Sequence, residues 1–185
     1  MKQAQVPAVL ESVLHEIPGI QITPKEGSRV RVDVAPGALP AILELLKGQL
    51  GFMHLSAISC IDWPQTDEFE LVYTVWSHEQ KMTVSAHVTI PRDPGEYVSV
   101  YDIHTPAGFF ERDIHEMFGV RFDGSPNLRK FILTSWNGPP PMLKSFDTLA
   151  YVEETFQWVD YRPEWLRDIE AKGGGIDSEG EGAPS

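Results

Sequence analysis

Three side chains have the types and spacing that chemistry uses. Glu111 and His115 stand one helical turn apart, and His104 precedes them. A carboxylate and two imidazoles could bind a divalent metal or pass protons. Two ligands on one helix are fewer than a metal site needs, and a neutral Glu–His pairing along the helix accounts for them equally well. A free-standing metal-dependent enzyme using Glu111, His115 and His104 is therefore kept as a rival. No other catalytic pattern is present: there is no dinucleotide or phosphate-binding glycine loop, no His-Glu-x-x-His and no Gly-x-Ser-x-Gly. The single Cys60 cannot make an internal disulfide. It is also too few thiolates for an iron–sulfur cluster or a structural zinc. No cofactor is expected in this chain.

The elements that position these residues are readable from periodicity. Val6, Val9, Leu10, Val13 and Ile17 predict a helix ended by Pro18-Gly19. Residues 20–23 and 29–34 predict two short strands around a turn at Glu26-Gly27-Ser28, with Arg29 and Arg31 on a solvated face. Leu39, Ile42, Leu43, Leu46 and Leu50 give a second one-sided helix after Pro36-Gly37. Strands follow at 52–61, 69–75 and 82–90, the last alternating without a break and leaving His87 idle on its polar face. A further strand is expected over 97–103. Thr105 then caps a helix with Pro106 at its first position, and Gly119 ends it. Phe110, Ile114, Met117 and Phe118 form that helix's buried face, while Arg112 and Glu116 point away from it. The expected fold class is α+β, a mixed β-sheet of about five strands with helices packed on one face. Residues 1–135 make the compact domain. Residues 136–171 form an extended, aromatic-rich interaction arm, and 172–185 a disordered acidic tail.

Composition excludes some partners. The chain of 185 residues has a formal charge of -12. That argues against nucleic acid and against direct adhesion to anionic lipid. No apolar run is long enough for a membrane span, so no direct insertion is expected. The amino terminus shows neither a secretory nor a transit pattern. In the stretch 111–130, Glu111, Asp113, Glu116 and Asp123 balance Arg112, Arg121, Arg129 and Lys130. A neutral strip of alternating sign in an acidic chain suits a surface that packs against something.

The order of residues in that strip carries a resemblance. Glu111-Arg112-Asp113, Glu116-Met117-Phe118-Gly119, Phe122, Gly124, Pro126 and Asn127-Leu128-Arg129-Lys130 resemble the signature of the C subunit of the proton-pumping NADH:quinone oxidoreductases, respiratory complex I. The stretch 141–156 is also similar to that family, with Lys144, Phe146, Tyr151 and Glu153 in the corresponding places. The resemblance implies a scaffold subunit without a cofactor of its own, peripheral on the cytoplasmic side of a membrane-bound complex. It would brace the quinone-site subunit and neighbouring cluster-bearing subunits, where FMN, iron–sulfur clusters and quinone are expected. The partner-contact residues it implies are Glu111, Arg112, Phe118, Gly119, Pro126, Asn127, Leu128, Arg129, Lys130, Lys144, Phe146 and Tyr151. Glu111 and Arg112 would make charge-assisted bonds, Phe118 and Pro126 would shape the turn, and Arg129 would reach a partner's carboxylate or backbone. His115, Ser125 and Thr134-Ser135-Trp136 depart from the usual pattern. The Ile114-His115 pair is similar to related subunits of membrane-bound [NiFe] hydrogenases. NADH, F420H2, ferredoxin and hydrogen all stay open as the electron source.

Overall fold

The structure is a computed structural model and describes residues 8–15, 17, 19–156 and 164–171. Among them a mixed five-stranded sheet runs in the order β1(Gln21–Pro24), β2(Arg29–Asp33), β5(Met82–Pro91), β4(Glu68–Ser77), β3(His54–Trp63). All its pairs are antiparallel except β2 with β5. From β2 the chain passes through a short 3-10 turn at Pro36–Ala38 and the crossover helix α2(Leu39–Gly48) to β3 at the far edge, and β4 and β5 then return antiparallel until β5 lies parallel to β2.

Register divides the sheet into a dry face and a wet one. Val32, Ala86, Tyr73 and Ile58 lie in one row across four strands, and all four are buried. The neighbouring row, Asp33, His87, Val72 and Ser59, faces the other way and is partly or wholly exposed. The dry face shares one core with Leu10 and Leu14 of α1(Ala8–His15), with Leu39, Ile42, Leu43 and Leu46 of α2, and with Ile114 of α3(Ala107–Phe118). Each fully buried aliphatic side chain contributes roughly 1.5–3 kcal/mol relative to exposure. The stripe that the sequence places on α2 is therefore what fastens the crossover to the sheet.

Several boundaries differ from those that periodicity predicts. The strand expected over 97–103 is only β6(Glu96–Val98), paired in parallel with β7(Arg121–Asp123); the chain then turns through Ser99–His104. The helix cap is Pro106, with no side-chain cap bond, so Thr105 does not serve as the capping hydroxyl. The wet face is not merely solvated: Arg31 bonds Asp33 and Glu70, and the Nδ1 of His87, expected to be idle, lies 2.7 Å from Glu70 Oε1.

The chain divides into two compact units, Met1–Thr148 and Leu149–Ser185. The first unit passes the break expected at 135, because the segment after it folds back. Met142 N–H donates to Met117 O, Lys144 N–H donates to Asp62 Oδ2, and Leu143 packs on the core. The described part of the second unit holds two short helices, α4(Thr148–Thr155), which starts one residue before it, and α5(Glu164–Ala171). The tail at 172–185 lies outside the described residues.

Candidate partner-contact surface

Helix α3 organises the surface that the charge pattern singles out, and its two faces do different work. Glu111 is on the inner one. Its exposure is 0%, Ser99 Oγ donates to Oε2 at 2.8 Å, and Val100 N–H donates to Oε1 at 2.9 Å. The expectation that Glu111 meets a partner is corrected here. Its carboxylate is consumed in stapling the 99–104 turn to the helix, which is also why the 97–103 strand stops early.

Arg112 and Glu116 lie on the outer face and hold the chain that returns after β7. Arg112 Nε donates to Arg129 O at 2.7 Å and its Nη2 donates to Lys130 O. The guanidinium also sits 4.7 Å from the Phe131 ring centroid. Glu116 accepts the next three amides, from Phe131 and Ile132 at 2.7 Å and from Leu133 at 3.2 Å. Burial, the largest single influence, pushes the Glu116 pKa up, but the three amides and Arg112 together outweigh it and the net shift is downward.

The held segment and the start of α3 present apolar side chains to solvent. Phe109 is 66% and Ile132 60% exposed, and the Phe109 and Phe131 rings meet at 6.5 Å. A shallow cavity of about 190 Å³ opens between Phe109, Arg112, Pro126 and Asn127. Asn127 Oδ1 accepts the Arg129 amide at 3.0 Å, tightening the turn. The Arg129 side chain is exposed and makes no hydrogen bond or ion pair among the described residues. Lys130 is exposed too, but its ammonium donates to Trp136 O and Asn137.

The remaining expected contact residues are spread about. Phe118 packs edge-on against Phe69 at 6.3 Å, and Leu128 packs on the core. Gly119 is exposed at a left-handed φ of 84°. The Lys144 ammonium lies 5.2 Å from the Trp63 ring centroid, and Phe146 meets Trp136 at 6.2 Å. Tyr151 belongs to the second unit, where it meets Phe156 at 6.4 Å.

Residues that periodicity does not single out hold this surface in place. Asp62 is buried, accepts the Lys144 amide at 2.8 Å and pairs with Arg92 at 3.0 Å. Its position opposite Phe69 shows that β3 continues past Ile61, which would have put Asp62 on the core side.

The metal-like trio is not assembled. Glu111 faces Ser99 and Val100, while His115 Nδ1–H donates to Val120 O at 2.9 Å. His104 is 3% exposed with Nε2 unpartnered, and burial first, then the charges of Lys47 and His54, pull its pKa down to about 4. Among the described residues no three His, Cys, Asp or Glu side chains are grouped to hold a metal ion, and no helix is long and apolar enough to cross a membrane.

The fold is that of a mixed-sheet α+β domain with helix α3 and its returning loop on the surface. Residues 32–152 match the model of the respiratory-chain NADH dehydrogenase 30 Kd subunit family, and the chain belongs to that family. It is 32% identical over 120 residues to the C subunit of the F(420)H(2) dehydrogenase of Methanosarcina mazei, covering 64% of this chain and 76% of that one. It is 31% identical over 136 residues to the C subunit of the NADH-quinone oxidoreductase of Ruegeria pomeroyi, covering 72% and 68%. In three dimensions it is similar to a chain in the structure of the membrane-bound sulfane sulfur reductase, an archaeal respiratory membrane complex. That match has TM-score 0.69 and 28% identity, over 84% of this chain and 94% of that one.

Proposed function

We propose that this chain is a non-catalytic structural subunit in the peripheral arm of an NADH:quinone oxidoreductase. It holds the quinone-site and cluster-bearing subunits in fixed relation during electron transfer coupled to proton translocation, on the cytoplasmic side of the membrane. FMN, iron–sulfur clusters and quinone belong to those partners. The family supports the assembly. The observation that carries the contact role is the pre-formed loop at 129–133, fixed by Arg112 and Glu116, with Phe109 and Ile132 in solvent beside an Arg129 side chain that has no partner among the described residues. Ordering this loop in advance lowers the entropic cost of docking, and apolar side chains next to a free guanidinium suit a partner surface with a carboxylate.

The test is Arg129→Ala. The isolated variant keeps the wild-type melting temperature, and recovery of the complex from cells falls. Unchanged assembly, or an isolated variant that unfolds, would show the residue to be idle or structural. A second reading, that the electron source is F420H2 or another non-NADH donor, is favoured by the Methanosarcina mazei relative and by the fold match to the sulfane sulfur reductase complex. Assaying the purified assembly with NADH and with reduced F420 separates the two.

A further inference from the structure

Helix α3 and the turn after β7 border a small pocket whose lining favours one kind of occupant. In the first turn of α3, Gly108 lets the Tyr101 ring and Pro126 approach the helix closely. A Cβ there would meet Tyr101 Cδ2 at 3.1 Å and Pro126 Cγ at 3.5 Å. All three residues line the cavity of about 190 Å³ that Arg112 also borders. Phe109 lines it too, 66% exposed, its ring against that of Phe131, which in turn carries the Arg112 guanidinium at 4.7 Å. Among the described residues no carboxylate is in this lining, although the chain as a whole has a formal charge of -12. A second cation is tied to the rim. Arg112 and Asn127, both in the lining, bond the carbonyl and the amide of Arg129. The Arg129 main chain is thus fixed beside the pocket, while its exposed side chain has no partner among the described residues. The cavity lined by Trp136 and Pro140 is different: its Glu116 and Lys130 are already bonded to the chain's own backbone.

We propose that this pocket receives an aromatic side chain of a different polypeptide, and that an Asp or Glu close to it in that polypeptide pairs with Arg129. The size decides against a free ligand, because small-molecule sites run to roughly 300–1,000 Å³ and this cavity holds one side chain. Tyr101 and Phe109 offer ring faces and edges, and Arg112 offers a guanidinium plane, which together suit an aromatic ring better than an aliphatic chain. A carboxylate alongside meets the planar fork of Arg129. One apolar anchor with a charge pair at its rim is how interfaces concentrate binding energy. A basic segment would face both guanidinium groups and is disfavoured. A second copy of this chain is the poorer occupant, since two bodies of charge -12 repel. The proposal rests on the assembly reading above and specifies the chemistry of the partner at that contact.

The test uses two variants of the tagged full chain in its native cells. Thr105 is exposed and lines the pocket, so Thr105→Trp fills it from the rim. The isolated variant keeps the wild-type melting temperature, and recovery of partner chains falls about tenfold or more, the loss of one anchor. Arg129→Lys keeps the positive charge and lets a carbodiimide join position 129 to a carboxylate in contact with it. In the assembly it gives a crosslink that the wild type lacks, to an Asp or Glu of another polypeptide with an aromatic residue close by in sequence. Full recovery of partners with Thr105→Trp would overturn the pocket proposal while leaving the assembly reading intact. So would a crosslink to a segment without an aromatic residue, or to a second copy of this chain, or no crosslink from position 129. The crosslink decides the matter even if Thr105→Trp lowers the melting temperature. Recovery of no other chain with the wild type would overturn the assembly reading and this proposal together.

Discussion

Arg112 and Glu116 stand one turn apart on α3 and between them bind the main chain of 129–133: the arginine takes carbonyls and the glutamate takes amides. The pair does for an irregular loop what a neighbouring strand does for a sheet. Glu116→Ala should release amides 131–133 to fast hydrogen exchange while the sheet amides keep their protection. The effect also has a pH signature. The Glu116 carboxylate titrates below its ordinary 4.5, so the hold is complete above that value and is lost as pH falls through the lowered one. Equal exchange in variant and wild type would separate the loop from Glu116.

Glu111 gives the opposite expectation. Glu111→Ala leaves the Ser99 hydroxyl and Val100 amide unpaired in a buried site and opens a cavity, a combination worth about 2–5 kcal/mol. Denaturant unfolding of the isolated chain measures it. A variant that is stable alone and fails only in assembly would return Glu111 to the contact surface.

Gly119 ends α3 at a φ where a side chain is strained, and an added Cβ would meet Pro140 Cγ at 3.1 Å. Gly119→Ala should cost about 1–2 kcal/mol from the backbone conformation, with a further penalty if Pro140 cannot retreat. Thermal melts read the loss, and increased proteolysis near 140–145 marks the loosened return of the chain. No change in either would mean that the helix end relaxes freely.

Buried His104 is held neutral, its pKa down at about 4 against an ordinary 6.5. The unfolded chain binds this proton first, so stability is full above 6.5 and falls as pH drops toward 4. His104→Leu should flatten the stability profile across that window, measured by urea unfolding at several pH values. A profile of unchanged slope would place the acid sensitivity elsewhere.

How much of this is legible in the sequence depends on what each residue answers to. Period alone reveals the α2 stripe and the β5 alternation, because burial on one face dictates both. The 97–103 segment reads as a strand for the same reason, yet Glu111 captures Val100 and turns the chain, a long-range bond that no local pattern encodes. Arg112 and Glu116 do point away from the core as periodicity predicts, but their targets lie on a loop whose course is set by tertiary packing. Asp62 stays hidden when its strand is ended early, at Ile61. Phe109 and Ile132 look like core residues by type, and only their surroundings reveal them as surface.

The chain's proposed work as a brace within a larger redox assembly is tested most directly by mass spectrometry. A tagged copy is purified from its native cells under mild detergent, and the chains that come with it are identified. Cluster-bearing and quinone-site subunits in fixed ratio to the tagged chain are the predicted result. A tagged chain recovered alone, turning over a substrate by itself, would contradict it.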